Sequence, residues 1–435
     1  MSAMSYHFLL DLALILLSTK VFGLLTQKVK MPQVVGALLA GLILGPSVLN
    51  ILTETTFIKQ MSELGVIVIL FTAGMGTNMQ ELKHTGKAGF LVAVCGVLVP
   101  LAGGTLLAWA CGKAGMIEES SFLSCVFIGT VLTATSVSIT VETLKELGRL
   151  STAVGNTILA AALIDDVLGL IVLTFVTSFV GTDTNILLVL VKIILFFVFA
   201  IIAGYIAIRV FNWLIDRAKG QNLHRYPILA FVLCLLMAWC AEEFFGVSDI
   251  IGAFIAGLVI SSTKKSSYIL SKFEPVSYLL LSPIFYASVG IGAKFPDAGG
   301  PIILFSVLLL LVAILSKLVG CGLGAKLCHF STRESVQIGV GMACRGEVAL
   351  IVFNKGIAMG VMSEELMAPI IITIIGCTLL TPIMLKFVFR DAAVPKESGL
   401  ADRFDESEQL DIVSEKLLDA NRKLMKKDKG NGDEK

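Results

Sequence analysis

"VVGALLAGLIL", residues 34–44, and "IIGAFIAGLVI", residues 250–260, are two versions of one pattern set 216 positions apart. Gly36, Ala37, Ala40, Gly41 and Leu42 recur as Gly252, Ala253, Ala256, Gly257 and Leu258, and the same offset carries Gly74 onto Gly290 and Gly76 onto Gly292. Small residues at this spacing let helix backbones approach closely inside a membrane. A single offset kept across two consecutive apolar stretches is the mark of a repeat.

The rest of the chain sets the meaning of that repeat. Its 435 residues are 56% hydrophobic and only 15% charged, with a mean hydropathy of +0.89, which excludes a water-soluble globular domain. Apolar stretches of about 17 to 25 residues predict thirteen membrane spans, near residues 6–27, 32–50, 57–77, 87–111, 119–144, 151–180, 185–213, 223–243, 246–263, 269–293, 300–325, 333–355 and 366–390. The first carries neither a basic leader nor a small-residue cleavage site and is read as retained. The matched stretches fall in the second and ninth spans, an odd number apart, so the copies cross the membrane in opposite directions. This is the inverted-topology repeat of secondary transporters, with spans 1 to 6 and 8 to 13 as copies and span 7 as connector. The predicted fold class is an all-α polytopic membrane protein: 13 transmembrane helices in two inverted-topology six-helix repeats, with crossed broken helices.

Lys and Arg alternate sharply between successive connections. One set holds fifteen, from Lys28 to Arg333; the other holds Lys59, Lys113, Lys294 and Lys355. The positive-inside rule then puts the N-terminus outside and the C-terminus in the cytoplasm of a multi-pass protein of the cell (inner) membrane. A formal net charge of +1 argues against nucleic acid as a partner. The nine Cys form no metal-binding or redox pattern and read as small core residues, so no cofactor is expected. His84, His224 and His329 lie in connections and take no assigned role.

Each half contains one stretch suited to a helix that opens at the midplane. In "TVLTATSVSIT", residues 130–140, hydroxyls stand ready for backbone groups that a break leaves unpaired. In "GVGMACRGE", residues 339–347, three Gly, Arg345 and Glu347 replace the Leu an uninterrupted helix would carry. Arg345 and Glu347 are read as structural charges that offset half-helix dipoles and close an ion pair.

"AALIDDVLGL", residues 161–170, adds two adjacent acids, Asp165 and Asp166, in the middle of span 6. Each costs roughly 2.5 to 3.5 kcal/mol at a helix centre. The fourteen Leu, Ile, Val and Phe between Ile158 and Val180 offset this by about 4 to 8 kcal/mol. Insertion is close to balanced, so the acids need a functional reason. Adjacent helical positions point about 100° apart, so the two carboxylates face different neighbours. Lys317, midway through span 11, is a buried cation that needs a carboxylate and a lysine suited to carrying a proton. Lys20 and Lys192 are read as snorkelling or locally paired.

Together "TATSVSIT", "LIDDVLGL", the lone Lys in "ILSKLVG" and "GMACRGEVALIV" resemble the second family of monovalent cation:proton antiporters, specifically its NapA-type sodium/proton members. The resemblance covers about residues 6–390. It implies a dimerisation bundle (about 6–77 and 223–293), a transport bundle (about 87–180 and 300–390), a connecting helix (about 185–213), crossed broken helices at spans 5 and 12, and a homodimer in the lipid bilayer. It also implies that Asp166 is the carboxylate that binds Na+ or a proton, that Asp165 pairs with Lys317 when no sodium is bound, and that Thr133, Thr135 and Ser136 neighbour the ion. The segment after residue 390 lacks the nucleotide-binding domain of Kef-type potassium systems and reads as a charged cytoplasmic tail, 391–435.

Sodium prefers oxygen ligands, and a carboxylate in a dry site holds either a proton or a cation. The expected activity is exchange of Na+ (or Li+) for H+ by alternating access, electrogenic at two protons per sodium. The alternatives are a K+/H+ antiporter of the same family and, as the nearest rival sharing this architecture, a sodium-coupled symporter of an organic anion. A sodium-coupled symporter of an organic anion would want a roomier and more polar break, and a channel fits paired midplane charges poorly. An enzyme is not expected: intramembrane aspartyl proteases place their two acids on separate helices.

Overall fold

The computed structural model of the protein describes residues 6–29, 31–77, 79–117, 121–180, 186–217, 225–292 and 300–390; the side chains of 79–84, 216 and 347 and the tail from 391 lie outside that description. All regular structure among the described residues is helical. A bilayer interior offers no water to backbone N–H and C=O groups, and a helix satisfies them within one segment.

The first half contains α1 (His7–Lys28), α2 (Gln33–Leu44), α3 (Thr56–Gly76), α4 (Met79–Lys113), α5 (Phe122–Val131), α6 (Val137–Glu146) and α7 (Ala153–Ser178), and α8 (Ile186–Arg217) follows. The second contains α9 (Arg225–Phe245), α10 (Asp249–Ser261), α11 (Ser266–Val276), α12 (Ser282–Ile291), α13 (Gly300–Leu327), α14 (Thr332–Gly341), α15 (Glu347–Ala358) and α16 (Met367–Phe389). Hydroxyl caps start several of them. Thr152 Oγ1 accepts from Gly155 N–H at 3.1 Å before α7, and Ser331 and Glu334 form a reciprocal capping box before α14.

Among the described residues, eight helices are long and apolar enough to cross a membrane by themselves, and α2, α5, α10 and most of α15 are shorter apolar pieces. The stretch predicted as 269–293 is one path in three parts: α11 and α12 are joined by a π-turn at Ser277–Leu281, just after Pro275. Proline removes an N–H and crowds the preceding turn, and the wider π-turn absorbs that misfit. The stretches predicted as 119–144 and 333–355 are each two helices with a non-helical gap, Leu132–Ser136 and Met342–Gly346.

Two groupings organise the packing. The helix α2 lies on α1 and α12, and α10 lies on α9 and α3; α4 packs on α5, α7 and α13, and α13 on α14 and α16. The closest approaches of the first group obey the offset of 216. The Cα of Gly41 faces the Ala287 carbonyl as that of Gly257 faces the Phe71 carbonyl, and Gly74 meets the Phe254 carbonyl as Gly290 meets the Leu38 carbonyl. A Cβ on Gly41 would lie 2.8 Å from the Ala287 Cα, and one on Gly257 2.9 Å from the Gly74 Cα, so glycine is required at both.

Candidate ion-binding site

The two gaps lie against each other. Ser136 N–H donates to the Cys344 carbonyl at 3.0 Å, and Thr140 Oγ1 donates to the Gly341 carbonyl at 2.9 Å. Gly346 gives the second gap room beside the first: a Cβ there would lie 2.9 Å from Ser136 Oγ. Helix termini leave unpaired carbonyls and N–H groups, and these cross-gap bonds take up part of them.

Arg345 fastens the crossing. It is 1% exposed, and its guanidinium donates to the Ala134 carbonyl beside the end of α5 and to the Ala313 carbonyl of α13 at 3.2 Å. Its own carbonyl accepts from Thr378 Oγ1 of α16 at 2.6 Å. A cation at the carbonyl end of a half-helix is electrostatically favoured. Glu347, expected as its ion partner, has its side chain outside the described residues.

Hydroxyls converge on the same place. Thr133 Oγ1 donates back to the Thr130 carbonyl at 2.7 Å. Thr133, Thr135 and Ser136 are all buried, and among the described residues Thr135 Oγ1 and Ser136 Oγ have no hydrogen-bond partner. Buried oxygens left unpaired are costly, and two of them in one break amount to unused ligand capacity.

The charged pair lies on α7 and α13. Lys317 Nζ donates to Asp165 Oδ1 at 2.8 Å, with both residues buried. Asp166, the next residue, is half-buried on a different face of α7, a helix that packs against α5, α6 and α14, all bordering the gaps. Helix α4 passes the pair at Gly96, whose added Cβ would lie 3.7 Å from Lys317 Nζ and 3.9 Å from Asp165 Oδ1. Away from this centre, Lys20 donates to the Tyr278 hydroxyl at 3.0 Å.

Sequence reasoning did not single out Gly96, Ala134, Ala313, Cys344 or Thr378. Four of these act through a backbone atom or a missing side chain, which leaves no chemical signature. Thr378 is one of several hydroxyls in an apolar span.

Comparison with known proteins gives the family. Residues 13–391 match the family model described as sodium/hydrogen exchanger, transmembrane. The chain belongs to that family. This member is 37% identical over 388 residues to the Na(+)/H(+)-K(+) antiporter GerN of Bacillus cereus, a match spanning 89% of this chain and 97% of the relative. It is 35% identical to a Na(+)/H(+) antiporter of Enterococcus hirae, over 86% and 96% of the two chains. In fold it resembles the sodium proton antiporter MjNhaP1 of Methanocaldococcus jannaschii, with a TM-score of 0.64 at 18% identity over 87% of this chain and 95% of that one. The family consists of transporters, and this chain is a multi-pass helical membrane protein.

Proposed function

We propose that this chain is a secondary active antiporter of the NapA type that exchanges Na+ for H+ by alternating access, with two protons carried per sodium. The observation that carries the reading is the buried Asp165–Lys317 pair at 2.8 Å beside the crossed gaps of spans 5 and 12. Asp166 is the carboxylate for which sodium and a proton compete, with Thr133, Thr135 and Ser136 supplying oxygen around it. Sodium is the cargo; a hard cation suits carboxylate and hydroxyl oxygen. Its entry displaces one proton from Asp166 and, by drawing Asp165 away from Lys317, lets the lysine release a second.

The contacts repeated at an offset of 216 around Gly41, Gly257, Gly74 and Gly290 support an inverted repeat of thirteen crossings. In this reading α1–α3 with α9–α12 form a dimerisation scaffold, α4–α7 with α13–α16 form the moving transport bundle, and α8 connects the halves. The Lys and Arg asymmetry supports an outer N-terminus and a cytoplasmic C-terminus in the cell membrane, and the chain works as a homodimer. The printed name of GerN includes K+, which favours potassium as a second cargo of the same site.

The test is purified protein in proteoliposomes carrying an internal pH dye. Adding Na+, Li+ or K+ in turn should drive proton flux, strongest with Na+. Asp166→Asn should abolish it, and sodium-dependent proton flux surviving that change would refute the assignment.

A further inference from the structure

Lys317 is fully buried, and an ammonium carries three hydrogen-bond donors. Among the described residues it makes one hydrogen bond, to Asp165 Oδ1 at 2.8 Å. That is a sparse shell for a buried cation, whose charge is stable only where hydrogen bonds replace the water it has left. The neighbours show why no second acceptor reaches it. Ser316, the adjacent residue, directs its hydroxyl back to the Ala313 carbonyl at 3.3 Å. Cys321, one turn further along α13, offers only a thiol, which is a weak acceptor.

The opposite wall is the backbone of α4, pressed onto α13. A Cβ on Gly320 of α13 would lie 2.6 Å from the Cys95 carbonyl oxygen of α4, and the next residue of α4 is Gly96. A Cβ on Gly96 would run into Cys321 Sγ and stand 3.7 Å from Lys317 Nζ and 3.9 Å from Asp165 Oδ1. The thiol therefore fills the space that a side chain at position 96 would take. A hydroxyl at position 96, one bond beyond that Cβ, would have both charged groups within reach. Glycine at 96 and cysteine at 321 together keep such an oxygen out.

We propose that Gly96 and Cys321 are positioning residues that withhold a second acceptor from Lys317, so that its ammonium depends on Asp165 alone. The inference rests on the two-proton antiporter reading and adds a condition that reading needs. Once sodium claims the carboxylate, the lysine must be unable to keep its proton. The N–H bond then breaks with its electron pair left on Nζ, and the proton leaves, with the one displaced from Asp166, to the side from which sodium came. An oxygen fixed beside Nζ would favour the ammonium on the order of 10- to 100-fold, whatever Asp165 does. Sodium would then release one proton and not two.

The experiment reads the proton count and not the rate. Proteoliposomes held at about 100 mV with equal pH on both sides should balance at a sodium ratio of about 50 when two protons move per sodium, and about 1 when one does. Gly96→Ser combined with Cys321→Ala, which clears the thiol to seat the hydroxyl, should bring the balancing ratio down from about 50 towards about 1. Gly96→Ala combined with Cys321→Ala fills the same space without an oxygen and should keep the wild-type ratio, whatever its rate. A folded serine variant that exchanges at the full ratio overturns the inference, and so does an alanine pair whose ratio falls as far. Should the serine variant not fold, the nearly isosteric Cys321→Ser decides by the same reading. A ratio of about 1 in the unaltered protein would instead refute the two-proton reading, and absence of Na+-driven proton flux in it would refute the antiporter reading itself.

Discussion

Replacing Asp165 with Asn should detach exchange from the membrane potential. In the structure the Lys317 ammonium sits 2.8 Å from an Asp165 oxygen, with both side chains buried. If sodium entry frees that lysine to release its proton, each cycle moves two protons against one sodium, a net transfer of one charge. One charge is worth about 2.3 kcal/mol per 100 mV. At about 1.4 kcal/mol per factor of ten, a potential of about 100 mV with no pH gradient sustains a sodium ratio of about 50 across the membrane. With Asn at this position the lysine has no carboxylate to leave, one proton returns per sodium, and the ratio falls to about 1.

The assay sets the potential in potassium-free proteoliposomes with a gradient of a permeant anion, equalises pH, and finds the sodium ratio at which net flux is zero. A variant that still holds the wild-type ratio would refute the argument. Stability supplies an internal control. Removing one partner of a buried ion pair costs about 3 to 5 kcal/mol, whereas removing both charges is often close to neutral. The double variant Asp165→Asn with Lys317→Gln should therefore recover most of the melting temperature that Asp165→Asn loses.

Two further changes probe the frame around the site. Gly257→Ala places a Cβ 2.9 Å from the Gly74 Cα and against the Phe71 carbonyl; it should cost about 1 to 3 kcal/mol, and Gly41→Ala, its counterpart at the offset of 216, should cost a similar amount. A fluorescence melt that separates the two widely would count against their equivalence. Arg345→Lys keeps the charge but cannot fork between the Ala134 and Ala313 carbonyls. Losing one such charged hydrogen bond should cost about 1.5 to 3 kcal/mol and depress exchange, and an unchanged melt and rate would show that the fork is dispensable.

Much of the frame is legible because packing in a membrane restricts side chains at the points of closest approach. Gly41 and Gly257 sit where one helix backbone meets the carbonyl of another, so the chemistry that enforces the contact is visible as a residue type repeated at a fixed distance. The gaps are legible only as composition. The stretch 130–140 contains the observed break at Leu132–Ser136, but many hydroxyls would serve an intact helix equally well. The closing contacts of the site are not legible at all. Arg345 is held by carbonyls of two alanines, and every residue carries a carbonyl. That two acids and one lysine at midspan need each other follows from the cost of burying charge. Which acid meets the lysine depends on the rotation of α7, which burial cost alone does not fix; that it is Asp165 is legible only through the family resemblance.

Of the buried cations, Lys317 and Arg345 sit nearest the gaps, and their partners fit their different side chains. A guanidinium stays charged at any physiological pH and binds through several donors in fixed directions. At position 345 it joins the Ala134 and Ala313 carbonyls, which do not change protonation at physiological pH. Lysine at position 317 faces a carboxylate, whose preference for the ammonium lasts only while the carboxylate is not claimed by another cation. An ammonium on a flexible stem can give up its proton when that partner turns away. In the proposed cycle, exchanging the two residue types would place a permanent charge where a releasable one is called for, and a releasable charge at the crossing. On that proposal, one core combines a fixed charge at the break with a releasable proton on α13.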